Sequence, residues 1–298
     1  MTETHYLTDI LALLAAAVVA VPLAQRLGLG SVIGYLVAGA LLGTWGLGVI
    51  EQVSEIRQFA EFGVVFLLFV IGIEMKPARL WVMRRWVFGL GLSQLLITGA
   101  ALAGIAVTLG LALKTAIIVG FGLALSSTAF GLQLLIEKRE LTSLTGRTSF
   151  AILLLQDLAV VPLLALVSLL SGGGALIASA GTAVLEAVLV IGTVVFAGRY
   201  LLNPVLDRVA ASQNAEIFTA AAVLLVLGVA WLMELAGLSM ALGAFLAGLM
   251  LAESHYRHQI EADIQPFRGI LLGLFFMSVG MSINLGLLVD RPGLILAL

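Results

Sequence analysis

Long apolar stretches alternate with short charged or glycine-rich breaks along almost the whole chain of 298 residues. An α-helix needs about 20 consecutive apolar residues to cross the hydrocarbon layer of a bilayer. By this measure the pattern predicts an all-α integral membrane protein with ten spans, at residues 7–25, 29–43, 56–74, 85–109, 115–136, 148–170, 182–202, 216–235, 239–253 and 268–285. The second and ninth stretches are short, which predicts tilted or partly buried helices, and an eleventh stretch begins near Pro292.

The composition indicates that lipid is the main solvent of this chain. Hydrophobic residues make up 61% of it and charged residues 11%, whereas soluble domains carry about 25% charged residues. Cysteine is absent, which excludes disulfides and thiolate metal sites. The sequence contains no phosphate-binding loop and no nucleophile motif, so it gives no support for an enzyme or for ATP-driven transport.

The basic residues predict the orientation of the spans. Twelve of the fifteen lysines and arginines fall in odd-numbered loops, and Arg57, Lys114 and Arg291 fall in even-numbered ones. Because basic residues concentrate in cytoplasmic loops, we expect the N-terminus to lie outside and the odd loops in the cytoplasm.

Two segments of the chain resemble each other. Residues 28–39 read GLGSVIGYLVAG and residues 237–248 read GLSMALGAFLAG, at a constant offset of 209. A weaker similarity relates residues 67–75 to residues 275–283. The offset covers seven predicted spans, an odd number, so the two copies would enter the membrane from opposite sides. Inverted repeats of this kind are typical of secondary transporters. Chance similarity between glycine- and leucine-rich helices is the alternative.

The repeat predicts the organisation of the chain. We expect a single transport domain over residues 1–298, with a first repeat at about 1–172, a linker span at about 180–204 and an incomplete second repeat at about 215–298.

Asp157 follows Gln156 near the midpoint of the sixth predicted span. An ionised carboxylate at that depth costs about 2.5–3.5 kcal/mol on insertion scales, so such residues normally line a water-filled cavity or an ion path. One carboxylate can hold either a proton or a cation, and this competition is the physical basis of an antiporter. The alternative is an aspartate that only joins neighbouring helices.

Three hydroxylated residues, Ser126, Ser127 and Thr128, lie together at the middle of the fifth predicted span among glycines. This pattern favours a locally unwound helix whose hydroxyl and carbonyl oxygens bind an ion. Serine and threonine hydroxyls also bond back to the preceding turn of a helix, and small residues pack closely, so an ordinary packed helix is the alternative.

The remaining polar residues of the apolar stretches give weaker signals. Glu61 and Glu186 favour interfacial or packing roles, and Glu74 and Glu234 lie at the ends of spans. His255 and His258 lie three residues apart, but a metal site there would need further ligands.

Several stretches, among them RLGLGSVIGYLVAGALLG, GLALSSTA, LLLQDLAVVPLL and HQIEADIQPFRGILLGLFFMSVGMSI, resemble the membrane domain of Kef-type glutathione-gated potassium efflux systems. These systems belong to the cation:proton antiporter superfamily. The resemblance extends over nearly the whole chain and implies an inverted-repeat antiporter fold with broken crossover helices. It implies an ion site, with K⁺ held at Asp157 and Gln156 and with Ser126, Ser127 and Thr128 beside them.

The resemblance also implies a regulatory loop over residues 258–269, represented here by Glu261, Asp263, Gln265 and Arg268. In the family this loop docks on a cytosolic nucleotide-binding domain. We therefore expect the sequence to be part of a longer protein with about thirteen spans, and we expect no cofactor in this chain. AMP or NAD(H) and glutathione would bind the cytosolic domain. A homodimer in the bacterial inner membrane and an ancillary oxidoreductase subunit are further expectations.

The predicted function is K⁺/H⁺ exchange by alternating access. Superfamily members that move Na⁺ electrogenically have two acidic residues in place of Gln156 and Asp157, together with a membrane lysine, and this chain has neither Lys nor Arg between Ile270 and Asp290. A ligand-gated K⁺ efflux channel is the first alternative, although the sequence contains no TVGYG-like filter. A non-transporting membrane scaffold or sensor is the second.

Overall fold

The computed structural model describes residues 3–50, 53–75, 83–170, 176–211 and 214–286. Within these ranges the chain is helical apart from short turns and links. The α-helices are α1 (Glu3–Arg26), α2 (Ser31–Leu42), α3 (Val53–Glu74), α4 (Leu92–Thr108), α5 (Leu113–Leu123), α6 (Thr128–Glu137), α7 (Leu144–Leu170), α8 (Leu176–Ala210), α9 (Ala215–Leu235), α10 (Met240–Leu251) and α11 (Arg257–Met281). A π-helical segment, Trp86–Gly91, leads directly into α4.

Each of the ten predicted spans overlaps at least one helix. Six helical stretches in the described part of the chain are long and apolar enough to cross a membrane: Thr8–Arg26, Val53–Glu74, Met83–Thr108, Leu113–Glu137, Ala215–Leu235 and Arg257–Met281. The two stretches expected to be short are the 12-residue helices α2 and α10. That all ten stretches span the bilayer stays a prediction, and the eleventh stretch, near Pro292, lies outside the described residues.

The chain divides into two compact units. The first unit comprises Met1–Leu67 and Gln265–Leu298, and the second comprises Leu68–Ile264. The fifth and sixth predicted spans, which carry the predicted site residues, belong to the second unit.

In the first unit, two glycines let α2 and α11 pack backbone to backbone. A methyl group at Gly39 would overlap the backbone of Met277, and one at Gly280 would overlap the backbone of Leu36. Because glycine has no side chain, it allows helices to approach more closely than any other residue does.

The second unit contains the equivalent contacts between α3 and α10. A methyl group at Gly248 would overlap the backbone of Phe69, and one at Gly72 would overlap the backbone of Phe245. Gly248 lies 209 residues after Gly39, and Met277 lies 208 residues after Phe69. The similar segments of sequence therefore make matching contacts.

The turns that precede α2 and α10 match in the same way. Gly28 and Gly237 have φ angles of 75° and 74°, a left-handed conformation that glycine adopts without strain. In each turn the glycine N–H donates to a residue three positions earlier, Gln25 or Glu234, at 3.0 and 2.9 Å. The predicted repeat boundaries and the opposite orientation of the copies stay predictions.

Candidate functional site

The fifth predicted span is interrupted at its middle. Helix α5 ends at Leu123 and α6 begins at Thr128, and the residues between them, Ala124–Ser127, form a non-helical segment that we call the link. Ser127 caps the new helix, since its Oγ accepts a hydrogen bond from the Phe130 N–H at 3.3 Å. Serine favours this position because its side chain satisfies a backbone donor that has no partner within the helix.

Asp157 lies on α7, next to the start of α6. The Thr128 hydroxyl donates a hydrogen bond to Asp157 Oδ1 at 3.1 Å, and the Asp157 side chain is partly exposed. Thr128 is the first residue of α6, so the carboxylate lies at the N-terminal end of that helix, where the helix dipole is positive. The contact joins two residues that the sequence had predicted to act together.

Gln156 lies beside Asp157 and faces the link. Its side chain is 2% exposed. Its Oε1 accepts a hydrogen bond from the Ser126 N–H at 2.8 Å, and its Nε2 donates to the Ala124 carbonyl oxygen at 3.1 Å. Both ends of the amide are therefore bound to the link.

Gln94, on α4, belongs to the same group of contacts. Its Oε1 accepts a hydrogen bond from Gln156 Nε2 at 2.8 Å. Its Nε2 donates to the Ala124 carbonyl at 3.3 Å and makes a long contact of 3.5 Å with the Thr98 hydroxyl. Sequence reasoning missed Gln94, and the available signal was an amide side chain inside an apolar span.

The predicted site residues are thus partly brought together. Asp157, Gln156 and Thr128 surround the link, and Ser126 joins them through its backbone N–H. The side chains of Ser126 and Ser127 are exposed, and the Ser127 hydroxyl serves as the helix cap. The group offers a carboxylate and several neutral oxygens at a break in an apolar helix, a combination that suits a proton or a small cation.

The predicted regulatory loop is largely helical, which corrects that expectation. Helix α11 begins at Arg257, so Glu261, Asp263, Gln265 and Arg268 lie on its first turns. The resemblance had implied a loop here. The helix forms, with Pro266 inside it, because Ile260 and Ile264, one turn apart, are both 0% exposed, and burial of this face outweighs the weak local preference of single residues.

The first turns of α11 make polar contacts with their neighbours. Thr219 of α9 donates a hydrogen bond to Asp263 Oδ2 at 2.7 Å, and His258 lies 3.9 Å from Glu261. In the turn before α11, a hydrogen bond to Asp207 raises the pKa of the Tyr256 hydroxyl above its ordinary value. The Tyr256 ring also packs on Phe218, with centroids 5.4 Å apart.

The weaker candidates of the apolar stretches lie on α3, α8 and α9 and not on the helices that flank the link. Glu61 pairs with Arg57 on its own helix at 3.4 Å, and Glu74 and Glu234 lie at or near the ends of α3 and α9. The side chain of Glu186 is outside the described residues. Within the described ranges, His255 and His258 do not belong to a group of three or more residues that could hold a metal.

The apolar helices and the polar group at the broken helix define a multi-pass membrane protein. Residues 12–298 match the family described as sodium/hydrogen exchanger, transmembrane. The chain belongs to this family, a transporter family whose activity is monovalent cation:proton antiport.

Proposed function

We propose that the chain is the membrane domain of a K⁺/H⁺ antiporter in which Asp157 is alternately protonated and cation-bound. The observation that carries this proposal is the contact between Thr128 and Asp157 at 3.1 Å, which joins α7 to the start of α6 beside the break between α5 and α6. Membership of the exchanger family supports the antiport reaction, and this geometry supports the choice of residues.

Competition at one carboxylate accounts for the coupling. Ionised Asp157 can bind a partly dehydrated cation, with the Thr128 hydroxyl and oxygens of the link replacing water ligands. When a proton binds instead, the negative charge disappears and so does most of the attraction for the cation. Asp157 therefore carries the cation across the membrane in one direction and the proton in the other.

Two further features support the finer parts of the proposal. Similar segments with matching helix contacts favour alternating access, because inverted repeats allow one bundle to move against another around a central site. A single carboxylate beside a neutral amide, Gln156, favours electroneutral exchange, because one positive charge replaces another. The resemblance to Kef-type systems favours K⁺ over Na⁺.

The same resemblance supports proposals about assembly and control. We place the protein in the bacterial inner membrane as a homodimer with a cytosolic nucleotide-binding domain and an ancillary oxidoreductase subunit. AMP or NAD(H) and glutathione would bind that domain. The start of α11, which carries Glu261, Asp263, Gln265 and Arg268, would be its docking surface.

The test is ion flux in proteoliposomes with a pH-sensitive dye inside, started by an outward gradient of K⁺ or Na⁺ and read with the membrane potential clamped at zero. We expect K⁺-driven proton uptake in the unmodified protein. Asp157→Asn should abolish it while the protein stays folded, because the amide keeps the size of the side chain but cannot exchange a proton for a cation.

The matched control is Glu61→Gln, which makes the same carboxylate-to-amide change within another predicted span. In the contacts described, Glu61 pairs with Arg57 on its own helix. This variant should keep its flux. Proton-coupled flux in Asp157→Asn equal to that of the control would refute the proposed role of Asp157. Proton uptake driven only by Na⁺ would overturn the assignment of K⁺.

A further inference from the structure

The Gln156 amide has little freedom to act as a cation ligand. Its oxygen accepts the Ser126 N–H and its nitrogen donates to Ala124 and to Gln94, at 2.8 to 3.1 Å. If Oε1 turned toward a cation, the Ser126 N–H would lose this partner, and the buried Gln156 Nε2 would lose the Ala124 carbonyl. Leaving a buried donor unpaired is costly.

The two amides together fix both sides of the link. Ala124 closes the last turn of α5, since its N–H donates to the Gly120 carbonyl at 3.1 Å. The Ala124 carbonyl in turn accepts hydrogen bonds from Gln94 and Gln156. Two residues later, the Ser126 N–H is held by Gln156. Two of the backbone groups released by the break in the helix, the Ala124 carbonyl and the Ser126 N–H, are thus bound by side chains from α4 and α7.

The helix that carries Gln94 is shaped to reach this position. The π-helical segment Trp86–Gly91 packs on α7, and a Cβ atom at Gly91 would lie only 2.8 Å from Leu155 Cβ. The chain therefore lies close to α7 three residues before Gln94 and one residue before Gln156. Wide helical turns of this kind occur often at functional sites.

We propose that Gln94 and Gln156 are positioning residues that hold Ala124–Ser127 in its non-helical form, and that neither contributes an oxygen to the transported cation. This inference rests on the proposed function, because it names the residues that shape the cation site. It assigns ion binding to Asp157, Thr128 and oxygens of the link, and it gives Gln94 a role in transport.

The first test measures the link itself. Hydrogen exchange of the Ser126 amide is followed in lipid nanodiscs for the unmodified protein, Gln156→Met, Gln94→Met and the control Gln133→Met. Methionine keeps the length of the side chain and removes its hydrogen bonds. Gln133 contacts Glu137 on its own helix at 3.2 Å, so the control makes the same chemical change away from the link.

We expect exchange at Ser126 to be about tenfold faster in Gln156→Met, the equivalent of one lost hydrogen bond. A smaller increase is expected in Gln94→Met, because Gln156 would still hold Ser126, and none in Gln133→Met. Unchanged exchange in Gln156→Met would overturn the proposal.

The second test separates positioning from ion binding. Supporting residues behind a binding site change affinity by about ten- to hundredfold. We expect the KM for K⁺ to rise by about tenfold in Gln156→Met and by less in Gln94→Met, with the maximal rate nearly constant. The ratio of KM values for K⁺ and Na⁺ should stay as in the unmodified protein. A change in this ratio would show that Gln156 binds the ion.

The double variant Gln94→Met with Gln156→Met tests whether the two residues act together. Because Gln94 acts partly through Gln156, its effect should shrink when Gln156 is already replaced, and the two effects should not add. Full additivity would contradict a shared role. The exchange measurement is independent of flux, so a failure of the antiport proposal at Asp157 would be distinguishable from a failure here.

Discussion

At the scale of single residues, the contact between Asp157 and Thr128 determines what the site can bind. A carboxylate at the start of a helix is favoured by backbone N–H groups and by the helix dipole. A hydroxyl at 3.1 Å can donate to the ionised carboxylate, and its oxygen still has lone pairs for a cation. The Thr128 hydroxyl can therefore stabilise ionised Asp157 before the cation binds, and it can contribute an oxygen ligand once the cation is bound.

Thr128→Val tests this role of the hydroxyl. Valine matches the shape of threonine but removes its only polar group, so ionised Asp157 would lose a donor and the cation would lose an oxygen. A hydrogen bond to a charged group contributes about 1.5–3 kcal/mol, so we expect the KM for the cation to rise at least about tenfold. Thr128→Ser, which keeps the hydroxyl, is the control. Equal cation affinity in the valine and serine variants would show that the hydroxyl does not take part.

At the scale of helices, glycines determine how closely neighbouring elements pack. Gly39 in the first unit and Gly248 in the second each lie against the backbone of another helix, near Met277 and near Phe69. Lipid gives little hydrophobic drive for helix association, so close backbone packing supplies much of the stability of such contacts.

Gly39→Ala and Gly248→Ala should each destabilise the protein, because the added methyl group would force the backbones apart. Overpacking of this kind costs about 1–3 kcal/mol. The measurement is the thermal midpoint of unfolding in detergent. Gly104→Ala is the control, since an added Cβ there meets no atom within 4 Å and alanine favours a helix. If all three variants unfold at the same temperature as the unmodified protein, these helix contacts are looser than described.

Much of this arrangement could be predicted from the pattern of apolar residues. Helix positions followed from long apolar stretches, and Asp157 stood out because a charge inside an apolar span is costly. Gln94 did not stand out, because a neutral amide costs less and because its partner Gln156 lies 62 positions away. The helix over residues 258–267 was not predicted either, because the burial of Ile260 and Ile264 is a property of packing that the local sequence does not show.

At the scale of the whole molecule, two similar segments of the chain have matching local structure. The turn at Gly28 and the turn at Gly237 share φ angles and hydrogen-bond pattern, and the helix contacts that follow them are equivalent. The copies are offset by seven predicted spans, an odd number, so equivalent positions should face opposite sides of the membrane. An inverted pair of this kind offers two equivalent half-structures that can exchange roles in inward- and outward-open states.

Single introduced cysteines can test this inversion directly, because the 298 residues of this chain include no cysteine. Gln25 and Glu234 are equivalent positions 209 residues apart, both exposed at the last turn of their helices. The distribution of basic residues predicts that the first turn lies in the cytoplasm and the second outside. In intact cells, a membrane-impermeant thiol reagent should therefore label Glu234→Cys and leave Gln25→Cys unlabelled. In inside-out vesicles the pattern should reverse. Labelling of both positions from the same side would exclude an inverted repeat, whatever ion the protein carries.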